Sequence, residues 1–393
     1  MKRLAITFLL FICSIFMYAQ VKNDTCTMEI SLLTCAPGAD LYSIFGHTAI
    51  RVRDSARGMD IIYNYGTFDD SDPLFYAHFT RGIMNYSLSA ETFDSFMLEY
   101  QTEHRPVTAQ ILNLNCTEKI HLYEALRKNT LDENRLYQYR FHTDNCTTRA
   151  GKIIESNTAS GFEYKNILPD PGPTYRDMIY EYLNPPHQYW SRFGIDLCLG
   201  MNLDIKPTNI QAIHFLPDYL FRGMDSARNG KEPMVAEKQT LISFPKIAVE
   251  THLLTPMFVF VSFFVISLAL YFSKSKKLLL VFDIFFFSLI GLFGLLITYL
   301  WLGRVDDVCR NNMNVLWALP THLIAVFFVR RKHSWIKYYF LFTAAIASVL
   351  VIGFPWWPQR IEIAVLPILG TIIFRGFSLF KNRNDAEKNI IQR

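Results

Sequence analysis

Two residues of this chain have the type and setting that nucleophilic chemistry needs. Cys146 lies in "FHTDNCTTRAG" (141–151), between a polar turn and what reads as the first turn of a helix, and His47 lies in "SIFGHTAIRVRD" (43–54), whose apolar residues alternate. Asp144 is a good N-cap, which puts Asn145, Cys146 and Thr147 in the first helical turn. Cys146, Arg149, Ala150, Ile153 and Ile154 then form the stripe that a helix turns toward a packing partner. Unpaired backbone N–H groups and the helix dipole favour a thiolate there, and a neighbouring imidazolium favours it more, which brings a thiol pKa from about 8.5 into roughly the 3.5–7.5 range. Such a thiolate attacks acyl carbonyls. The residues alone leave three readings of Cys146 open: nucleophile, half of a disulfide, or inert buried thiol. His47 gains a chemical role only through it.

The positioning elements are strands mixed with helices. Alternation places Ile44, Thr48, Ile50 and Val52 on one face of the histidine strand and His47, Ala49, Arg51 and Arg53 on the other. The small Ala49 leaves space for a group against the imidazole. A second strand, "DIIYNYGTF", follows the turn "DSARGMD"; helices are expected over about 72–82, 89–101 and 117–128, the second started by "SAET". "NRLYQYRF" reads as a strand leading into the cysteine segment. Ser43 and Arg51 are candidates to line a groove, and Arg149 to pair with a phosphate or carboxylate as a bidentate donor. Residues 171–225 read as helices packed beside this core, with Asp196 and Asp218 in structural roles.

Composition adds a membrane. Of the 393 residues 51% are apolar and 19% charged, and the apolar excess sits in one N-terminal run and in a block after about residue 255. The N-terminal "MKRLAITFLLFICSIFMYAQ" has the layout of a cleaved secretory signal, residues 1–19. Of seven cysteines, Cys13 lies in that signal; no pair has CxxC spacing, and export permits disulfides, with Cys26 to Cys35 or to Cys116 as plausible pairs. Five apolar runs, about 256–272, 278–302, 315–329, 338–354 and 361–380, are expected as spans, the third and fifth carrying Pro320 and Pro367. Cations gather after the first span (Lys274, Lys276, Lys277), after the third (Arg330, Arg331, Lys332, Lys337) and in the tail, so odd spans run outward to inward and residues 20–250 lie outside. Trp301, Trp317, Trp356 and Trp357 read as outer interfacial anchors. The polar loop with Arg304, Asp306, Asp307, Arg310, Asn311, Asn312 and Asn314 lies on the exported side, which makes Asn314 and Trp317 candidates for contact with a substrate. His322 and Asp283 are costly groups at membrane depth.

A histidine on a strand followed by a cysteine at a helix start is the reverse of the usual papain order. It resembles the circularly permuted papain-like branch that includes lecithin:retinol acyltransferase. The strings "TCAPGADLYSIFGHTAIRV", "YNYGTFD", "TRGIMNYSL", "DNCTTRAG", "WSRFGIDLCLG", "FLPDYL" and "NNMNVLWALPTHL" resemble, in order, the Lnb family of Bacteroidota membrane proteins. That resemblance implies an α+β exported papain-like domain over 20–165, a helical extension over 166–250, a five-helix transmembrane domain over 251–382 and a cytoplasmic tail over 383–393. It implies lipoprotein N-acylation with Cys146 as nucleophile and His47 as base. Asn64 is expected to orient the imidazole, with Tyr65, also a candidate substrate contact, and Asp69 as rivals. The implied partners are a phospholipid or lipoprotein acyl donor, a diacylglyceryl lipoprotein acceptor and the inner membrane. A periplasmic cysteine peptidase or amidase, or a non-catalytic sensor or assembly module, would also suit the residues. No Gly-rich phosphate loop, metal-spaced cluster or nucleic-acid motif stands out, so no cofactor is expected, and the net charge of +4 is largely explained by cytoplasmic loop cations.

Overall fold

The computed structural model describes residues 26–391 except 41, 69–72, 159–160, 185–187, 246–252, 274 and 331–332, with backbone alone from 383. The expected signal segment and Asp69 therefore lie outside the described residues. Seven strands build one sheet: β1 (Met28–Cys35), β2 (His47–Asp54), β3 (Met59–Thr67), β4 (Asn85–Thr92), β5 (Val107–Leu112), β6 (Leu136–Gln138) and β7 (Val235–Ile242). Their order is β7-β5-β1-β2-β3-β4-β6, antiparallel throughout. Register sets Cys35 opposite His47 and Ile50 opposite Tyr63.

Helices cover both faces: α1 (Phe75–Arg81), α2 (Phe93–Thr102), α3 (Cys116–Asn129), α4 (Cys146–Ser156), α5 (Tyr175–Leu183), α6 (Tyr189–Cys198), α7 (Asn209–Ile213) and α8 (Pro217–Ser226). Because strand side chains alternate, Ile50, Val52, Tyr63 and Tyr65 pack with α3, α4 and α8, whereas Ala49 and Ile62 pack against Phe96, Met97 and Tyr100 of α2. Helix α3 begins at a capping box made by Asn115 and Glu118, the reciprocal pairing that satisfies two end N–H groups. Residues 85–92, expected in part as helix, form β4, and Thr92 caps α2. The segment 166–250, expected as a helical extension, also carries β7, which joins the sheet beside β5. The residues of β7 are largely exposed, as an edge strand keeps much of its surface in water.

The C-terminal part holds α9 (Pro256–Phe272), α10 (Lys276–Gly303), α11 (His322–Phe328), α12 (Ser334–Gly353) and α13 (Val365–Ile391). Three stretches, Lys276–Gly303, Ser334–Trp356 and Val365–Asn382, are long and apolar enough to cross a membrane, and α9 is a shorter apolar helix. The third expected span is not continuous: a 3-10 turn at Met313–Leu316 precedes the seven-residue α11. Pro320 has no N–H to carry a helix through this point, and Gly291 and Gly294 of α10 leave the space into which Leu323 and Ala318 pack. Asp283 and His322 are paired between helices. Asp283 accepts two bonds from Arg375, at 2.7 and 2.8 Å, and His322 Nδ1 bonds Tyr339 at 3.0 Å. Trp317, expected in an interfacial belt, is instead 2% exposed within this core, whereas Trp356 is 80% exposed.

Candidate active site

The cap of α4 is Asn145 rather than Asp144. Asn145 Oδ1 accepts from the Thr148 N–H at 2.9 Å, and its amide donates to the Phe141 and Phe215 carbonyls at 2.7 and 2.9 Å. This buried side chain ties the helix start to two loops, and Cys146 becomes the first helical residue. Asp144 and Arg149 instead form a bidentate pair, both bonds 2.8 Å, with the guanidinium 3.7 Å over the Tyr137 ring. Arg149, proposed from sequence to bind an external anion, is thus already paired within the protein.

The Cys146 thiol and the His47 imidazole lie close enough for each to shift the other's pKa. The two side chains meet beside Gly66, where an added Cβ would lie 3.6 Å from Cys146 Cβ and 3.9 Å from His47 Cε1. Gly66, the last residue but one of β3, has φ +94° at an irregularity in the β3–β4 register, a backbone region that residues with a Cβ avoid. His47 Nε2 lies 2.5 Å from Asn64 Oδ1. An amide oxygen only accepts, so Nε2 carries the proton and Nδ1 is left to receive one from the thiol. Asn64 itself is held by donors to its carbonyl, Thr67 Oγ1 at 3.2 Å and Ser89 Oγ at 3.5 Å.

The electrostatics favour the charged pair. Burial opposes an imidazolium, yet the pKa of His47 is raised, because the sulfur of Cys146 and the oxygen of Asn64 outweigh burial and the nearby Arg105 charge. Burial also opposes the thiolate, yet the pKa of Cys146 is lowered, by His47 first, then by the Thr48 N–H and the Thr147 hydroxyl. Thr147 Oγ1 lies 3.9 Å from the sulfur and 3.1 Å from Thr48 Oγ1. Cys35, facing His47 across β1 and β2, is the contrast: burial pushes its thiol up to about 12. All six cysteines of the described residues are free, so the expected pairing of Cys26 with Cys35 or Cys116 is not made.

Two family models match this chain: the one described as the Lnb N-terminal periplasmic domain matches residues 16–183, and the one described as the Lnb transmembrane domain matches 248–385. The chain belongs to the Lnb family. No curated protein and no solved structure matches it. Of the other residues singled out in this Lnb chain, Ser43 is buried and donates to the Asp40 carbonyl at 3.1 Å. Arg51 pairs with Asp60 at 2.7 and 2.6 Å over the Phe93 ring. Tyr65 is buried on the α3 and α4 side and accepts from Asn129 at 2.8 Å. Asn314 donates to the Asp196 carbonyl at 2.9 Å and accepts from Trp317 Nε1 at 3.0 Å, so both belong to the seam between the periplasmic helices and the membrane helices. The structure brings His47, Asn64 and Cys146 together, whereas Ser43, Arg51, Tyr65, Asn314, Trp317 and, as above, Arg149 are engaged with partners inside the protein. Gly66 and the Thr48 N–H were not singled out in the sequence; the glycine after "YNY" was the visible signal. Among the described residues no group of three His, Cys, Asp or Glu is placed to hold a metal ion.

Proposed function

We propose that this Lnb protein is a lipoprotein N-acyltransferase whose exported domain works as a circularly permuted papain-like thiol catalyst at the outer leaflet of the inner membrane. The observation that carries the reading is the polarised chain Asn64–His47–Cys146 at a helix start, in a domain fused to membrane helices. His47 Nδ1 takes the proton from Cys146 Sγ, and the thiolate attacks an ester carbonyl of a glycerolipid donor. The carbonyl oxygen becomes an oxyanion that the backbone N–H at the start of α4 can receive. Collapse breaks the C–O bond, His47 returns its proton to the leaving glycerol oxygen, and a thioester remains on Cys146. The free α-amino group of a diacylglyceryl-cysteine lipoprotein attacks that thioester; His47 takes the amine proton, the C–S bond breaks, and the proton ends on the thiol.

The placement of this chemistry supports lipid-borne substrates. Gln138 at the end of β6 donates to the Gly82 carbonyl at 2.9 Å, and Arg304 beyond α10 donates to the Phe79 carbonyl at 2.8 Å. The end of the sheet that carries His47 therefore abuts the outer end of a spanning helix. The test is mass spectrometry of lipoprotein N-termini from cells whose only N-acyltransferase is this protein. The wild type is expected to give an added acyl chain and Cys146→Ala none. Shortened lipoprotein peptides would favour the peptidase or amidase reading, and N-acylation by Cys146→Ala would refute the mechanism.

A further inference from the structure

We infer that α1 lies in the outer membrane interface and that the aromatic residues joining it to Cys146 form the lane by which a single lipid acyl chain enters the site. This rests on the reading of Cys146 as an acyl carrier, and it adds which surface meets the lipid and where the chain passes. Helix α1, "FYAHFTR", is short and strongly aromatic, and it is fixed at the outer end of α10. The Val305 N–H donates to the Arg81 carbonyl at 2.9 Å, Arg304 holds the Phe79 carbonyl, and Thr80 Oγ1 lies 3.4 Å from Tyr299 Oη. Tyr76 on α1 is 80% exposed, and Leu302, near the end of α10, is 78% exposed. Large apolar side chains exposed at the level where a spanning helix leaves the hydrocarbon are placed for the headgroup and acyl boundary, where aromatic rings concentrate.

From α1 the rings continue inward. Phe75 stacks on Phe68 with centroids 5.2 Å apart, Phe68 meets Tyr86 at 5.3 Å, and Tyr86 meets Tyr139 at 4.6 Å. Tyr139 and Cys146 both pack against the same apolar core. An acyl chain laid along this row exchanges lipid contact for ring contact from the membrane to the sulfur, and its ester end arrives at the helix start while the headgroup stays at the interface. The occupant is therefore an acyl chain still attached to an outer-leaflet lipid, because the row begins at membrane level rather than in water.

Two measurements on the full chain in membranes test this. First, p-benzoylphenylalanine is placed at Tyr76, and as a control at Arg57, in the turn at the opposite end of β2 from His47; both are irradiated in vesicles of radiolabelled phosphatidylethanolamine. Position 76 is expected to capture labelled lipid and position 57 not, in the wild-type background and equally in Cys146→Ala. Equal labelling at the two positions overturns the interfacial placement. Second, the Cys146 peptide is quantified by mass spectrometry after treatment with hexadecyl and ethyl bromoacetate. Phe75→Ser is expected to lower the hexadecyl-to-ethyl rate ratio by about tenfold, the effect of one or two methylenes of lost burial. An unchanged ratio overturns the lane. A Cys146 inert to both reagents overturns the acyl-carrier reading instead, while the lipid capture still decides the placement of α1.

Discussion

Replacing Asn64 by Ala removes the acceptor 2.5 Å from His47 Nε2 with little other loss, since the amide's bond to Glu91 is long at 3.5 Å. A hydrogen bond to a charged group contributes about 1.5–3 kcal/mol. Lost mainly from the imidazolium, it lowers the His47 pKa. The reactive pair exists between two limits. As pH falls through the lowered pKa of Cys146 the sulfur gains a proton, and as pH rises through the raised pKa of His47 the imidazolium is lost. Asn64→Ala moves the upper limit down and, by weakening the support of the thiolate, the lower limit up, so the window narrows from both sides. Iodoacetamide modification of the Cys146 peptide, followed by mass spectrometry across pH, reads both limits. Turnover near neutral pH is expected to fall about 10- to 100-fold, as that energy implies. A wild-type alkylation profile with wild-type turnover would refute the role given to Asn64.

Gly66→Val puts a β-branched residue at φ +94°, a conformation that costs about 1–2 kcal/mol or more. Lipoprotein acylation should drop at least about tenfold while the exported domain still folds by circular dichroism, and wild-type rates would show that convergence at Gly66 is unimportant. Arg176→Met leaves Asp196 without the 2.7 Å partner it has in a buried setting. Burial already holds the Asp196 carboxyl up at about 6, and breaking such a pair costs about 3–5 kcal/mol; a melting temperature equal to wild type would argue against the pair as a clamp of α5 to α6. Maleimide labelling after denaturation without reductant should modify all six cysteines from Cys26 to Cys309, and a count lower by two would reveal a disulfide.

What the sequence disclosed followed from periodicity and residue chemistry. The alternation around His47 assigns Ile50 and Val52 to one face and Ala49 to the other, as the two cores show; of the stripe from Cys146 through Ile154, Ala150, Ile153 and Ile154 lie on the buried face of α4 together with Thr147, Thr148 and Gly151, while Cys146 and Arg149 are half-buried. The cap was displaced by one residue because Asp and Asn serve equally well as caps; only the third dimension shows that Arg149 claims Asp144 and that Phe215, 70 positions away, claims Asn145. β7 and the burial of Trp317 depend on docking between distant segments, which local patterns do not encode. The broken third span was hinted at by Pro320, but the accommodation by Gly291 and Gly294 is a property of the facing helix. Arg51, Arg149 and Asn314 have the chemistry of ligand contacts, and their partners within the fold are visible only once Asp60, Asp144 and the Asp196 carbonyl are seen beside them.

The central claim is that Cys146 carries the acyl group. The most direct measurement is mass spectrometry of the Cys146 peptide from membranes quenched in acid after brief incubation with a phospholipid bearing a labelled acyl chain and no lipoprotein acceptor. The account predicts the labelled acyl mass on Cys146, removed by neutral hydroxylamine as a thioester is, absent in Cys146→Ala and His47→Ala, and discharged on adding a lipoprotein with a free α-amino group. Labelled lipoprotein formed at the wild-type rate by Cys146→Ala, or a Cys146 recovered as a disulfide in active membranes, would contradict it.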